Sequence, residues 1–233
     1  MKRRTADREL VERAAVHAAL GDPVRLAIVD ELAFSDRSPG ELVERLGTPS
    51  NLLAHHLAVL EDAGLVVRSV SAGDARRRYV SLDRSRPDIL TVLRPPHGRS
   101  LRPMLFLCTH NSARSQLAAA LWTQRTGHVA RSGGTRPTPA VHPGAVRAAR
   151  RAGLDIAGAA PRHHQRVPAR AQVVTVCDLV HEDLTPGTDW WHWSIPDPVA
   201  VGTDAAFDAV LRLLDERIAG VLPTHPTSST EAN

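Results

Sequence analysis

Ten residues near the middle of the chain, Arg94-Pro95-Pro96-His97-Gly98-Arg99-Ser100-Leu101-Arg102-Pro103, hold three prolines and a glycine, and the hydrophobic pattern differs on either side of them. Proline fixes φ and lacks a donor N–H, so a run this dense reads as a linker rather than as helix or sheet. The 233 residues suffice for two domains that each bury a core. The chain therefore divides into a first domain at 1–93, a linker at 94–103, a second domain at 104–222 and a tail of small polar residues at 223–233 that is expected to be disordered.

Composition excludes some classes. Hydrophobic residues make up 42% and charged residues 23%, an ordinary globular balance. Without a run of about eighteen apolar residues no membrane span is expected. No apolar core follows the basic Met1-Lys2-Arg3-Arg4-Thr5, so no secretory signal is expected either. The net charge of +4 rests almost wholly on arginine, Lys2 being the only lysine, which reads as compositional bias and says little about partners. Two cysteines, Cys108 and Cys177, are too few for a disulfide framework, and a reducing cytoplasm is the expected compartment.

The first half reads as short helices followed by a hairpin. Leu10, Ala14, Val16 and Ala18 precede Gly21-Asp22-Pro23, where Asp22 is a good N-cap and Pro23 sits at the first helical position. Val24, Leu26, Ile28, Val29 and Leu32 then give a helix an inward face. Ser38-Pro39 repeats the start signal, and that helix stops at Gly47. A fourth helix runs from about Ser50 to Ala63 and stops at Gly64. Leu65 to Val70 and Arg76 to Leu82 flank a turn at Ser71-Ala72-Gly73-Asp74, a β-hairpin pattern. Helix, turn, helix and hairpin is the order of an α+β winged helix-turn-helix.

The second half alternates strand and helix: a strand at Met104-Leu105-Phe106-Leu107, a helix from Ala113 to Thr126, a short strand near His128 to Arg131, a helix from Val141 to Ala152, a strand from Ala171 to Cys177 and a closing helix from Asp204 to Ala219. That alternation implies an α/β domain with a parallel sheet covered on both faces.

Chemistry concentrates where the first of these strands gives way to a helix, at Cys108-Thr109-His110-Asn111-Ser112-Ala113-Arg114-Ser115. Strand ends are the usual ligand position in an open α/β sheet. Backbone N–H groups turning into a helix N-terminus form an anion cradle, here from Thr109 to Arg114, and the same field favours the thiolate of Cys108. Arg114 offers a planar fork of donors to two oxygens of a bound oxyanion, and the Ser115 hydroxyl can donate to the sulfur. A packed thiol with a solvated arginine is the bland alternative. Asn111, Ser115 and the strand-to-helix placement favour the chemical reading.

With these residues in view, the second domain resembles the low-molecular-weight protein tyrosine phosphatase superfamily, and within it the arsenate reductase branch. The resemblance covers nearly all of the domain and rests on the 108–115 loop together with Ser132-Gly133-Gly134-Thr135, Val141-His142-Pro143, Val173-Val174-Thr175-Val176-Cys177-Asp178 and His192-Trp193-Ser194-Ile195-Pro196-Asp197-Pro198. It implies a phosphatase-I-like fold with a parallel four-stranded sheet, Cys108 as nucleophile and Asp197 of the Asp-Pro loop as general acid. Phosphatases of this group place aromatic residues beside that loop. Here Val199-Ala200-Val201-Gly202 follows it and Tyr79 is the chain's only tyrosine, while Trp190, Trp191 and Trp193 lie upstream, with core packing the expected role for at least one. A small inorganic oxyanion, arsenate or phosphate, fits better than a phosphotyrosine.

Arsenate reduction also needs thiols. The resemblance implies that Cys108 attacks arsenic and a second thiol releases arsenite. Cys177 matches the second cysteine of the thioredoxin-coupled enzymes, whereas their third falls at Leu184. The usual relay is therefore incomplete. Either a Cys108–Cys177 disulfide forms and is reduced directly, or a small cellular thiol resolves the adduct and Cys177 is a packed strand cysteine, the latter being favoured. The external reductant is a low-molecular-weight thiol with a glutaredoxin-like protein, or thioredoxin. No bound cofactor is implied.

Residues 8–85 resemble the ArsR-type bacterial repressors, most clearly over Ala18 to Val29 and His55 to Val66. The resemblance implies a homodimer on a double-stranded DNA operator, with residues 7–20 and 89–93 at the dimer interface. The helix from Ser50 would enter the major groove with Leu53, Leu57 and Leu60 inward, leaving Ser50, Asn51, Ala54 and His55 for bases or phosphates; Asn51 could read an adenine edge. Arg76, Arg77 and Arg78 of the wing would meet phosphate. No metal site is expected, because the adjacent His55 and His56 point apart on a helix. This domain has no cysteine, which excludes the familiar arsenite-sensing site; Ser35-Asp36-Arg37-Ser38-Pro39-Gly40-Glu41-Leu42 occupies its place. The expected molecule is thus a regulator fused to an arsenate reductase. Its rivals are a tyrosine phosphatase fused to a regulator, and a regulator whose second domain only senses an oxyanion.

Overall fold

The computed structural model describes residues 2–85, 102–164, 167–168, 170–184 and 186–222, with backbone alone for 2–7. Most of the linker, residues 89–93 and the tail at 223–233 lie outside the described residues.

The first domain is built from α1 (Lys2–Leu20), α2 (Pro23–Phe34), α3 (Pro39–Leu46) and α4 (Ser50–Asp62), then β1 (Val66–Val70) and β2 (Arg78–Leu82). Local chemistry sets the boundaries. The Asp22 carboxylate accepts from the N–H groups of Val24 and Arg25 at the start of α2. Ser38 and Glu41 form a reciprocal capping box on α3, and Gly47 ends that helix in the left-handed region at φ 62°. The hairpin pairs antiparallel with Val66 opposite Leu82. Ile28, Val29, Leu32, Leu42, Leu53, Leu57, Leu60 and Val80 share one buried core with Val16 and Ala19 of α1. The inward residues of α4 are those expected, plus His56, which is buried against the Asp22 cap.

The second domain contains β3 (Met104–Cys108), α5 (Arg114–Thr126), β4 (Arg131–Gly134), α6 (Pro143–Arg151), β5 (Gln172–Thr175), α7 (Asp178–Asp183), β6 (Trp191–His192), α8 (Pro198–Val201) and α9 (Asp204–Val221). Its four strands are all parallel in the order β4-β3-β5-β6. The second strand lies three residues later than the sequence pattern suggests. Gly127 ends α5 with φ 71°, and the apolar Val129 is exposed in the connection. Ser132-Gly133-Gly134 then pairs with Phe106-Leu107-Cys108. Glycine is a weak strand former, so pairing rather than propensity decides here. No helix among the described residues is long and apolar enough to cross a membrane.

The two domains share a buried polar interface. Arg217 of α9 makes two hydrogen bonds, of 2.6 and 2.8 Å, to Asp36 in the α2–α3 connection. The wing turn rests on α7: Ala72 N–H donates to Asp178, while Asp74 N–H and the hydroxyls of Ser71 and Tyr79 donate to Glu182. A Cβ on Gly73 would overlap the Glu182 carboxylate, so glycine permits this contact.

Candidate active site

β3 delivers Cys108 to the C-terminal edge of the sheet, and the chain turns through residues 109–113 into α5. Asn111 takes φ 49°, a left-handed conformation that asparagine tolerates better than most residues. This curls the loop so that Asn111 N–H donates to Cys108 Sγ at 3.2 Å. No side chain caps the N-terminus of α5, which leaves that end to the loop itself.

Hydrogen bonding fixes which way the polar groups face. Asn111 Oδ1 accepts from Gln116 Nε2 at 3.1 Å and from Arg162 N–H at 2.8 Å, so its Nδ2 is the donor to Ser115 Oγ at 2.8 Å. The Ser115 hydroxyl is thereby left to donate its own hydrogen to Cys108 Sγ, 3.0 Å away. Gln116 and the Arg162 backbone, absent from the sequence reading, thus hold the sulfur's partners in place. Their signal lies in contacts between distant segments, which one sequence does not display.

Close packing supports the loop from behind. A Cβ on Gly134 would stand 2.7 Å from the Thr109 carbonyl oxygen and 3.0 Å from Asn111 N, so the β4 terminus must be glycine for β3 and the loop to approach. His142 N–H donates to the Ser112 carbonyl, and the His142 ring caps α6 and stacks on Phe207 at 5.0 Å. The Ser132-Gly133-Gly134 and Val141-His142-Pro143 motifs are therefore scaffolding for the loop.

Two elements close over it. Arg114 Nη1 donates to the Ile195 carbonyl at 3.1 Å, and Nη2 lies 3.0 Å from Asp197 Oδ2, bringing the arginine and the Asp-Pro loop together. Cys177, at the N-cap of α7, has its sulfur 3.5 Å from Thr109 Oγ1. Burial pushes the Cys177 thiol up, opposed by the Arg114 guanidinium and reinforced by Cys108. Thr109, Asn111, Ser112, Ala113, Arg114 and Ser115 are buried around the sulfur, and His110 is exposed.

The aromatic side chains lie elsewhere. Trp193, Phe106, Trp122 and Phe207 are in the core, Trp191 packs on Phe34, Trp190 packs against the core, and Tyr79 is buried at the domain interface. Val199 and Val201, just after Asp197, are exposed.

On the first domain Ser50, Asn51, Ala54 and His55 share the exposed face of α4. Arg76, Arg77 and Arg78 are all exposed, and Arg77 also lies 3.8 Å from Glu182 of the second domain.

A cysteine at the end of a parallel strand, at the head of a helix, with an arginine paired to an Asp-Pro turn, defines a phosphatase-like α/β domain. The chain belongs to the low molecular weight phosphotyrosine protein phosphatase family, whose model matches residues 103–228. A helix-turn-helix domain model matches residues 20–69. Over 60 residues, 25% of this chain, it is 43% identical to the HTH-type transcriptional repressor SmtB of Mycobacterium tuberculosis, and it spans 44% of that repressor's length. Similar solved structures include an arsenate reductase of Archaeoglobus fulgidus, at 29% identity and TM-score 0.43 over 49% of this chain and 94% of that one. The tyrosine phosphatase Wzb of Escherichia coli K30 in complex with sulphate gives 22% and 0.44 over 50% and 93%. A thioredoxin-dependent arsenate reductase of Corynebacterium glutamicum gives 28% and 0.42 over 52% and 61%.

Proposed function

We propose that the chain is a cytoplasmic DNA-binding regulator fused to a thiol-dependent arsenate reductase. The observation that carries the reading is the Cys108 sulfur, which receives Asn111 N–H and faces Ser115 in a loop closed by the paired Arg114 and Asp197.

In the reaction the Cys108 sulfur attacks arsenic, and an arsenic–oxygen bond breaks as Asp197 supplies a proton to the departing oxygen. Arg114 and the loop amides hold the remaining oxygens. A second thiolate then attacks the Cys108 sulfur. The sulfur–arsenic electron pair stays on arsenic, arsenite leaves, and a disulfide remains for the external reductant. The elevated Cys177 thiol supports a low-molecular-weight thiol, with a glutaredoxin-like protein, as the usual second nucleophile; thioredoxin acting on a Cys108–Cys177 disulfide is the other route.

The burial of Trp193 in the core, the packing of Trp191 on Phe34 and the exposed valines after Asp197 speak against a phosphotyrosine substrate. Family membership keeps aryl-phosphate hydrolysis as the second reading. The experiment is arsenite production by the purified chain, with thioredoxin and with low-molecular-weight thiols in parallel. Turnover abolished by Cys108→Ser and Arg114→Ala supports the proposal. Aryl-phosphate hydrolysis without arsenite production would replace it with the phosphatase. Operator binding that responds to arsenate or phosphate, without turnover under any reductant, would replace it with an oxyanion sensor.

For the first domain, the exposed face of α4 with Ser50, Asn51, Ala54 and His55 supports docking in a major groove of duplex DNA, with Arg76, Arg77 and Arg78 at the wing. Leu10 and Val11, 63% and 68% exposed on α1, support a homodimer through that helix.

A further inference from the structure

The segment that carries Asp197 is held by the other domain. β6 has two residues, Trp191–His192, and beyond it the chain leaves the sheet. From there it runs along residues 34–36, the end of α2 and the connection to α3. Asp36 N–H donates to the His192 carbonyl at 2.7 Å and His192 N–H donates to Ser35 Oγ at 2.8 Å. Trp193 Nε1–H donates to the Phe34 carbonyl at 2.9 Å, and Ser194 N–H donates to Asp36 Oδ2 at 2.8 Å. From its own domain the stretch takes the pairing of His192 with Thr175, the Trp193 N–H bond to the Thr175 carbonyl, and contacts of the His192 ring with Thr175 and Asp178, none of which reaches beyond Trp193.

Asp36 is fully buried, and its two oxygens also receive the Arg217 guanidinium. A carboxylate suits this place because it can accept from the arginine fork and from an amide at once. One residue beyond Ser194, the Ile195 carbonyl receives Arg114 Nη1, and the same arginine meets Asp197. The path from Asp36 to the cradle is therefore one amide, one carbonyl and the guanidinium.

We propose that Asp36 is a positioning residue for the oxyanion site: through the Ser194 amide it sets the Ile195 carbonyl that aims Arg114, so the helix-turn-helix domain forms part of the active-site framework. This rests on reading the 108–115 loop as an oxyanion cradle.

The test is titration calorimetry of inorganic phosphate into the full-length chain, which reads affinity and stoichiometry separately. Asp36→Ala is expected to raise the Kd at least about tenfold with stoichiometry near that of the wild type, the range for a misaligned charge-assisted donor. Asp36→Asn, whose amide oxygen still accepts from Ser194, is expected to raise it less than about threefold. Asp36→Leu with Arg217→Met removes the buried ion pair and leaves the neighbouring Arg84 with Glu216; it is expected to behave like Asp36→Ala. A lower stoichiometry at unchanged Kd would mean that only folded fraction was lost, and would overturn the proposal. So would unchanged binding in both Asp36→Ala and the double variant. A wild-type chain that binds no phosphate would instead overturn the cradle itself, and this proposal with it.

Discussion

Arg114 and Asp197, from opposite ends of the second domain's sequence, meet at 3.0 Å with the arginine buried and the aspartate partly open to solvent. Both terminal nitrogens of the guanidinium are engaged, Nη1 by the Ile195 carbonyl and Nη2 by Asp197. Lysine keeps the charge but has no fork with which to hold an oxyanion and the Asp-Pro loop together. Arg114→Lys is expected to lower kcat/KM for arsenate by about a hundredfold or more, the scale for losing a preorganised oxyanion donor. Initial rates of arsenite release across arsenate concentrations measure this. Activity within a few-fold of the wild type would remove Arg114 from the site.

Gly134 tests the scaffold without touching a reacting group. An added methyl would meet backbone atoms of Thr109 and Asn111 rather than a side chain that can swing away. Gly134→Ala should therefore destabilise the chain by about 1–3 kcal/mol, as overpacking does. It should also weaken phosphate binding, because the loop must shift to relieve the overlap. Urea midpoints and phosphate titration on one preparation report both, and a variant with wild-type values in each would show that β4 does not set the loop.

Cys177 separates the two electron routes. Burial keeps it in the thiol form at neutral pH, so it is a poor nucleophile until something removes its proton. With a low-molecular-weight thiol as reductant, Cys177→Ala is expected to retain turnover within about twofold. Mass spectrometry of the wild type after arsenate turnover gives the opposing signature: a Cys108–Cys177 disulfide, with turnover lost in the variant, would place Cys177 in the reaction.

The wing gives a contrast between neighbours. Arg76 is 96% exposed with only the solvent-facing Asp74 near it, at 3.6 Å, whereas Arg77 faces the largely buried Glu182. If the wing meets phosphate, Arg76→Ala should reduce the slope of log affinity against log salt by about one on a random-sequence duplex. Arg77→Ala should change it less, since its charge is partly neutralised by the second domain. Equal slopes for wild type and Arg76→Ala, measured by fluorescence anisotropy, would remove the wing from the DNA contact.

Local chemistry explains what could be read in advance. The Asp22 and Ser38 caps, the Gly47 stop, the apolar stripe of α4 and the run from Met104 to Cys108 are each decided within a few residues, and the helices and β3 follow from them. The same holds for the turn from β3 into α5 at 108–115, set by the end of the apolar run. β6 and α7 were not legible, because a strand of two residues and a helix of six carry too little periodicity. Asp36 was invisible for another reason. In sequence it is one polar residue between two helices, and only the fold places it on Arg217 and Ser194. The wing turn is similar: Ser71-Ala72-Gly73-Asp74 reads as a solvent-facing tip until α7 comes to rest on it.

The buried pair His181 and His192 predicts how stability follows pH. Their rings stack at 4.1 Å, and both reach Thr175 Oγ1 through Nδ1. His181 Nε2 meets Glu41 of α3 at 3.1 Å, so the contact crosses the domain interface. Burial lowers His181 below its ordinary 6.5, with His192 and Arg37 adding to the effect and Glu41 opposing it. A buried imidazole that resists its proton means that the unfolded chain binds that proton first as pH falls. Stability from this group is therefore complete above about pH 6.5 and declines as acid is added toward the folded value. Glu41 acts in a lower window: burial opposes its ionisation, but hydrogen bonds from His181 and Ser38 hold its carboxyl down to about 2 against an ordinary 4.5. Its contribution is present above 4.5 and lost from there downward. Urea midpoints should thus fall between pH 7 and 5 in the wild type. His181→Gln keeps an amide donor for Glu41 but cannot titrate, so its midpoint should change less over the same interval. A wild-type midpoint that stays level from pH 7 to 5, or a variant that follows the wild-type slope, would show that this histidine does not couple protonation to the joining of the two domains.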